Sequence, residues 1–263
     1  MMKTDIADIY RTAWSFLFAC PLLFLVPVVV EFAQHIVEWQ LGMYDSIAGA
    51  KAAETSALRL QFGFAKTLAL LLPGYWFARY ILFGGDAARA RRIEWPAIGL
   101  WLILFAIHAV QQWWGLFGPS LTEWVGLTGE TGRWTGYALF TAGSVVGIYL
   151  TAWAPAWAAG NAAIGPIGSA IIMAGSFWRT IALLVVGILP LMILHYLLSF
   201  GAIFAPALLD WPLLTLDALV VGYLALTMTG AATIAARHAA TRKGIDLTGE
   251  ESAAMGAVVP QAT

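Results

Sequence analysis

Residues 181–209 read IALLVVGILPLMILHYLLSFGAIFAPALL, a run that contains no Asp, Glu, Lys or Arg and a single histidine, His195. A helix needs about 20 mainly apolar residues to cross the hydrocarbon core of a bilayer, and this run is long enough. The whole chain is similar, with 60% hydrophobic and 11% charged residues and a mean hydropathy of +0.78. A soluble domain carries about 25% charged residues. The sequence therefore predicts an integral membrane protein.

Five further apolar runs have comparable lengths. The six predicted spans are residues 13–33, 62–83, 96–117, 136–159, 181–209 and 212–236. None of them shows the roughly ten-residue alternating pattern of an outer-membrane strand. The predicted fold is therefore all-α, a polytopic membrane protein with one six-helix transmembrane domain over residues 1–243. Residues 244–263 lose apolar periodicity and are predicted to form a disordered cytoplasmic tail.

The basic residues are distributed unevenly between the two sides of this topology. Ten of the fourteen Lys and Arg residues fall on the side that holds both termini. By the positive-inside rule, this side is the cytoplasm. We expect the membrane to be a bacterial inner membrane. Arginines in GGDAARARR, residues 84–92, set this orientation and are candidate contacts for inner-leaflet lipids, or topology determinants alone. The candidate lipid contacts are Arg89, Arg91, Arg92, Trp178 and Arg179.

The segment before the fifth span, GSAIIMAGSFWRT at residues 168–180, has helical periodicity. Pro166 suits the first turn of a helix, where its missing N–H does no harm. One face of the predicted helix is apolar and the other carries Ser169, Ser176 and Arg179. The apolar face consists of Ile167, Ala170, Ile171, Ala174 and Phe177. The pattern predicts a short interfacial helix on the inner leaflet.

Titratable side chains inside spans are expensive in lipid and are the first place to look for function. The candidates are Glu31, Lys66, His108, His195 and Asp217. The topology places His108 nearer mid-membrane and the other four towards the outer side, beside a first outer loop of residues 35–61. A converging cluster would hold a proton or an ionic headgroup. Alternatively, the acidic and lysine side chains reach the interface separately, and the histidines bond between helices.

Proline occurs inside or beside most spans, at Pro21, Pro27, Pro73, Pro155, Pro190 and Pro206. Kinked spans are typical of transporters, although Pro and Gly are also common in membrane helices generally. In the fourth span, Gly143 and Gly147 have the spacing for close helix packing. No CxxC, HExxH, GxGxxG or Walker motif is present, and the four histidines lack metal-ligand spacing. We therefore expect no enzyme activity, catalytic residue, cofactor or metal.

Residues 149–191, YLTAWAPAWAAGNAAIGPIGSAIIMAGSFWRTIALLVVGILPL, carry a family resemblance. They resemble prokaryotic six-span inner-membrane proteins related to the membrane domain that precedes some glycerophosphodiester phosphodiesterases. The matching residues are Pro155, Trp157, Gly160, Ser169, Ala170, Ser176, Trp178 and Arg179. The resemblance implies an integral, non-enzymatic membrane protein. No phosphodiesterase barrel is present in these residues, so no catalytic residue is carried over.

Two functions are compatible with this sequence. The first is a non-enzymatic accessory, scaffold or lipid-interacting subunit, whose partners are membrane lipids and other membrane-protein subunits, without nucleic acid. The alternative is a small transporter or channel that uses kinked helices and the Glu31, Lys66 and Asp217 group. A water-accessible polar cavity would favour the transporter, whereas a packed core with exposed apolar flanks would favour the scaffold.

Overall fold

The computed structural model describes residues 2–250, and every regular element in that range is a helix. The bounds of the helices are α1 (Met2–Ala19), α2 (Pro21–Gln40), α3 (Ile47–Glu54), α4 (Ala57–Leu71), α5 (Gly74–Leu82), α6 (Ala87–Arg91), α7 (Trp95–Phe117), α8 (Leu121–Trp124), α9 (Gly129–Tyr149), α10 (Trp153–Ala158), α11 (Pro166–Met173), α12 (Phe177–Phe204) and α13 (Ala207–Arg242). Among the described residues, α2, α7, α12 and α13 are long and apolar enough to cross a membrane. The protein is a helical membrane protein, and the count of six spans stays a prediction.

Helix α13 is the centre of the bundle. It packs against α1, α2, α5, α11 and α12, and small side chains on its buried face allow these neighbours to approach closely. A Cβ atom added at Gly222 would lie 2.3 Å from Val28 Cγ2 on α2. One added at Gly187 on α12 would lie 2.7 Å from Ala231 Cβ on α13. Helices α2, α12 and α13 therefore hold their facing side chains in close register.

The glycine pair predicted for close packing does not have that role. No atom of the described chain lies within 4 Å of a Cβ added at Gly143 or Gly147. Both lie on α9, whose side chains are exposed along most of its length. Glycines four residues apart allow another helix to pack closely against them. The spacing does not show whether such a helix is present.

The chain is interrupted within the predicted first span. Helix α1 ends at Ala19, and Pro21 starts α2 after Cys20, which has the non-helical angles φ −138 and ψ 59. Helix α2 then continues to Gln40, so the prediction that the first outer loop starts at residue 35 was wrong. The predicted span 13–33 combined the end of α1 with the start of α2, because hydropathy does not show where the backbone turns within an apolar run.

The second predicted span is also discontinuous. Helix α4 ends at Leu71 and α5 begins at Gly74, with Pro73 between them. Proline lacks the N–H that would continue the helix, which accounts for the break. Helix α4 packs against α2 and α7, and α5 packs against α13 and α10, so the two halves have different neighbours.

The short helix before the fifth span begins at Pro166, as predicted, and its serine-bearing face packs inside the protein. Ser169 is buried, whereas Ile167 and Ile171 are 78% and 58% exposed. The Ser169 hydroxyl accepts a hydrogen bond from the Ala152 N–H and donates one to the Tyr149 carbonyl. A hydroxyl is thus buried where it satisfies a helix end, and an isoleucine is exposed where lipid is the expected solvent. The location of α11 on the inner leaflet stays a prediction.

A buried arginine ties four helices together at one end of the bundle. Arg79 on α5 is fully buried and donates hydrogen bonds to the carbonyls of Ala158 at 3.0 Å and Ala90 at 3.3 Å. Its guanidinium also lies 2.8 Å from Glu94 Oε1. We call these four residues the arginine clamp; it joins α5 to α6, to α10 and to the residue that precedes α7.

The residues after α13 pack against the same end of the bundle. Leu247 is buried, and Asn161 donates a hydrogen bond to the Asp246 carbonyl at 3.3 Å. Arg242 donates to the carbonyls of Ala174 and Gly175 beyond α11. Residues 244–250, the start of the tail predicted to be disordered, are therefore packed. The remainder of that predicted tail, residues 251–263, lies outside the described residues.

Candidate functional site

Six titratable side chains from four helices meet at the opposite end of the bundle from the arginine clamp. We call this group the polar cluster; its members are Glu31, His35 and Glu38 of α2, Lys66 of α4, His195 of α12 and Asp217 of α13. Glu31, His35 and Asp217 have at most 1% of their side-chain surface exposed. The cluster lies between α2, α12 and α13, with Lys66 of α4 beside Glu31.

Helix α2 supplies half of the polar cluster from one face. Glu31, His35 and Glu38 are spaced at i, i+4 and i+7, which places them one above another on a helix. All three are buried, as is Gln34 beside them. This stripe faces inward because the opposite side of α2 carries apolar residues such as Val29, which is 62% exposed.

Lys66 supplies the positive charge opposite Glu31. Its Nζ atom lies 2.8 Å from both carboxylate oxygens of Glu31. The lysine side chain is 20% exposed, whereas that of Glu31 is only 1% exposed. Lys66 therefore connects the buried carboxylate to the outer rim of the cluster.

Asp217 lies between the two histidines. His195 Nδ1 is 2.7 Å from Asp217 Oδ1, and His35 Nε2 is 3.0 Å from Asp217 Oδ2. His35 Nε2 is also 3.6 Å from Glu31 Oε1. The imidazole of His35 thus points its Nε2 atom between two carboxylates.

The other nitrogen of His35 is held by Glu38 and Tyr44. The Tyr44 hydroxyl donates to Glu38 Oε2 at 2.6 Å, and His35 Nδ1 lies 2.9 Å from the hydroxyl oxygen. Burial and the charge of Glu38 raise the pKa of Tyr44, so the phenol keeps its proton. Because that single proton is donated to Glu38, His35 Nδ1 must carry a hydrogen and donate it. When Nε2 is protonated as well, the ring is positively charged and faces Asp217 Oδ2 at 3.0 Å; when Nε2 is not protonated, its lone pair faces that carboxylate.

Glu38 is fixed from two further directions. Gln34 Nε2 and Arg59 Nε each donate a hydrogen bond to Glu38 Oε1 at 2.8 Å. Arg59 is on α4, seven residues before Lys66 and therefore on the same face of the helix. Its side chain is 25% exposed. Both oxygens of Glu38 are therefore occupied, which makes it an orienting group for His35.

The polar cluster contains buried polar atoms without hydrogen-bond partners. They include Glu31 Oε2, His35 Nε2 and Asp217 Oδ2, whose close neighbours are not aligned for a hydrogen bond. Buried polar atoms in native proteins are paired in the great majority of cases, and an exception requires an explanation. One ligand atom each from Glu31, His195 and Asp217 lie within 4.8 Å of one another. This is enough for the three side chains to surround one small cation.

Of the five residues proposed from the sequence as an intramembrane group, four belong to the polar cluster: Glu31, Lys66, His195 and Asp217. His108 does not join them. It lies on α7, where its Nδ1 atom is 2.8 Å from the Leu104 carbonyl of the preceding turn. This local contact inside a helix requires no partner from another helix.

Sequence reasoning missed the residues that orient the cluster. His35, Glu38, Tyr44 and Arg59 were assigned to the first outer loop, although α2 extends through the first two. The i, i+4, i+7 spacing of Glu31, His35 and Glu38 was the available signal. It went unused because the predicted span ended at residue 33, whereas the helix continues to Gln40.

The proposed inner-leaflet lipid contacts have different surroundings. Arg179 pairs with Asp5, and Arg89 pairs with Glu250 while its guanidinium lies 4.0 Å from the centre of the Phe83 ring. The remaining three side chains, Arg91, Arg92 and Trp178, are exposed. These three stay candidates for lipid contact, since Arg89 and Arg179 already have partners within the chain.

A cavity of about 590 Å³ lies between α5, α7, α9 and α13. Its wall is mainly apolar, with Gln111, Thr229 and Thr233 among the polar residues that line it. Leu71 and Gly74, on either side of the break between α4 and α5, also line it. The discontinuous segment of the chain therefore borders an open volume.

No protein-family model, curated protein or solved structure that was compared matches the chain. The resemblance to six-span inner-membrane proteins thus stays a prediction.

Proposed function

We propose that the chain is a multi-pass protein of a cytoplasmic membrane that binds a small cation in the polar cluster and carries it across the apolar layer. Both termini are cytoplasmic in this proposal, which places the polar cluster in the outer half of the membrane. The observation that carries the proposal is the imbalance of buried charge in the cluster.

The fixed charges of the cluster do not cancel. Three carboxylates, from Glu31, Glu38 and Asp217, face two permanent cations, Lys66 and Arg59. Lys66 lies on Glu31 and Arg59 on Glu38, so Asp217 has only the two imidazoles as neighbours. An uncompensated charge is costly within a bilayer, and ionisable groups there mark ion pathways. A proton on one of the imidazoles, or another bound cation, would offset the remaining negative charge.

The discontinuity of the second predicted span supports movement of that cation. Transporters commonly bind their substrates beside broken helices, whose two halves are able to shift independently. Lys66 lies on α4, on one side of the break at Pro73, and α5 continues on the other side. A change at the break would therefore alter how Lys66 meets Glu31.

A second function, an accessory subunit that packs against another membrane protein, is favoured by α9. Tyr137, Phe140 and Val146 on this helix are 58%, 77% and 55% exposed. Helix α9 packs mainly against α8, α11 and α12 and leaves much of its length uncovered. Such a face suits either lipid or a partner helix. It explains nothing about the polar cluster, and the cation function therefore ranks first.

Flux into liposomes tests the proposal. Purified protein is reconstituted with entrapped indicators, and entry of H⁺, Na⁺, K⁺, Mn²⁺ and Zn²⁺ is followed separately. At least one cation should enter faster than into protein-free liposomes, and Asp217→Asn should abolish the difference. Glu130→Gln is the control, because Glu130 is 84% exposed and pairs only with Arg133 among the ion pairs of the described chain. Flux no faster than in protein-free liposomes, or full flux in Asp217→Asn, would contradict the proposal.

A further inference from the structure

We infer that the polar cluster binds a divalent transition-metal ion, with Glu31, His195 and Asp217 as ligands and His35 as the fourth. The inference rests on the proposed function, since it names the chemical class of the cation. It stands on three ligand atoms, one each from Glu31, His195 and Asp217, that lie within 4.8 Å of one another in a buried part of the protein.

The donor set matches this class of metal. Carboxylate oxygen and imidazole nitrogen together suit Zn²⁺ and its first-row neighbours, whereas Ca²⁺ and Mg²⁺ prefer oxygen alone. Zinc lies about 2.0–2.2 Å from such atoms, so two of its ligands are roughly 3.4 Å apart. The three ligand atoms here lie within 4.8 Å of one another. Side-chain rotations that move the ligand atoms by about 1 Å would close the site around a metal.

His35 is oriented as a fourth ligand. Its Nε2 atom lies 3.0 Å from Asp217 Oδ2 and 3.6 Å from Glu31 Oε1 but is aligned with neither for a hydrogen bond. A proton on Nε2 would occupy the space between these two carboxylates. When Nε2 gives up that proton, its lone pair faces both of them, and a metal ion would take the place of the proton.

The groups behind His35 complete this arrangement. Metal-binding histidines usually donate their second N–H to a neighbouring acceptor, which fixes the ring and the tautomer. Here Tyr44 and Glu38 lie on Nδ1 at 2.9 and 3.2 Å. Glu38 in turn is held by Arg59, so its charge is already balanced. Glu38 and Tyr44 are therefore positioning residues, and metal contact is reserved for the other face of the ring.

Lys66 takes the role of a competing cation. With neutral imidazoles, the cluster together with Arg59 carries a formal charge of −1, and a divalent ion would bring it to +1. Because Lys66 Nζ lies 2.8 Å from both oxygens of Glu31, it must move away when Glu31 coordinates a metal. Its partial exposure gives it somewhere to move. Removal of the Lys66 charge should consequently strengthen metal binding.

Metal titration of the full-length protein in detergent tests the inference. Zn²⁺ binding is measured by calorimetry, and Co²⁺ binding by visible absorption, which is intense for four-coordinate sites. Wild type should bind one ion of each, while His195→Ala and Asp217→Asn should weaken binding at least about 100-fold, beyond the 10–100-fold typical of positioning groups. Tyr44→Phe should weaken it about tenfold. Glu130→Gln should bind as wild type does.

Lys66→Gln distinguishes a binding site from a structural ion pair. If Lys66 competes with the metal, this variant should bind Zn²⁺ about tenfold more tightly, which corresponds to about 1.4 kcal/mol. Lys66→Arg, which keeps the charge, should bind as wild type does. Weaker Zn²⁺ binding in a folded Lys66→Gln protein, or wild-type affinity in His195→Ala, would overturn the inference.

The metal inference and the transport proposal fail in different ways. If H⁺ or Na⁺ flux requires Asp217 but neither Zn²⁺ nor Co²⁺ binds, the metal site is contradicted and the transport proposal is supported. Stoichiometric metal binding without flux of any cation would leave a resident metal in a protein that does not transport. Preference for Ca²⁺ over Zn²⁺ would contradict the role of the two histidines.

Discussion

The arginine clamp and the polar cluster both bury charge in an apolar bundle, but only one of them is satisfied. Arg79 directs its donors at two main-chain carbonyls and the Glu94 carboxylate, and Tyr75 and Phe83 lie against its guanidinium at 5.3 and 4.9 Å. No atom of Arg79 is without a partner. The polar cluster, by contrast, leaves polar atoms of Glu31, His35 and Asp217 without hydrogen bonds.

The difference separates a structural from a functional buried charge. A charge that is surrounded by complementary partners fixes the positions of the elements that carry them. A group of charges that is buried and incompletely paired carries a cost, which natural proteins accept mainly at functional sites. The comparison therefore makes a prediction about stability: loss of the clamp should matter more than loss of the cluster's charge.

The largest effect is expected for Arg79→Met. This change leaves the Ala90 and Ala158 carbonyls unpaired and removes the cation beside Glu94, so it should lower the stability by about 3 kcal/mol. Cys20 is the single cysteine and is buried, so a thiol-reactive fluorophore reports unfolding in detergent. Arg133→Met, at an exposed ion pair, should change stability by less than about 0.5 kcal/mol. If Arg79→Met and Arg133→Met lower the stability equally, the proposed structural role of the clamp is contradicted.

Tyr44→Phe should have an intermediate effect. It removes one hydroxyl that donates to Glu38, which costs about 1 kcal/mol for a single hydrogen bond. Labelling of Cys20 on unfolding measures the change in stability, as for Arg79→Met. Tyr137→Phe serves as the control because Tyr137 is 58% exposed. A loss comparable to that of Arg79→Met would show that the groups behind His35 are part of the structural framework.

The smallest effect on stability is expected for Asp217→Asn, despite its complete burial. The substitution removes the charge that no permanent cation balances, so the lost contacts with the histidines are offset and the net change stays below about 1 kcal/mol. Flux and metal binding should nevertheless disappear. If Asp217→Asn unfolds the protein as readily as Arg79→Met does, the polar cluster is a structural ion-pair network and the comparison breaks.

The sequence predicted helix ends well where the residue composition changes along the chain, and poorly where it does not. Helix α7 runs from Trp95 to Phe117, next to the predicted 96–117, because a long apolar run between a proline and a glycine has clear ends. The breaks at Cys20 and Pro73 were less visible, since the residues on both sides are equally apolar. The burial of Ser169 in α11 was not visible either, because its partners are main-chain groups at Tyr149 and Ala152, which helical periodicity does not record.

The sequence by itself determined that lipid is the solvent of this protein and that a few titratable residues lie within apolar helices. Both follow from composition and run length, which need no knowledge of neighbours. Only the tertiary structure decided that Glu31, His35, His195 and Asp217 meet at one point. Their meeting depends on how α2, α12 and α13 rotate and slide against one another at Gly187 and Gly222. That register is set by packing between distant segments, which no local pattern records.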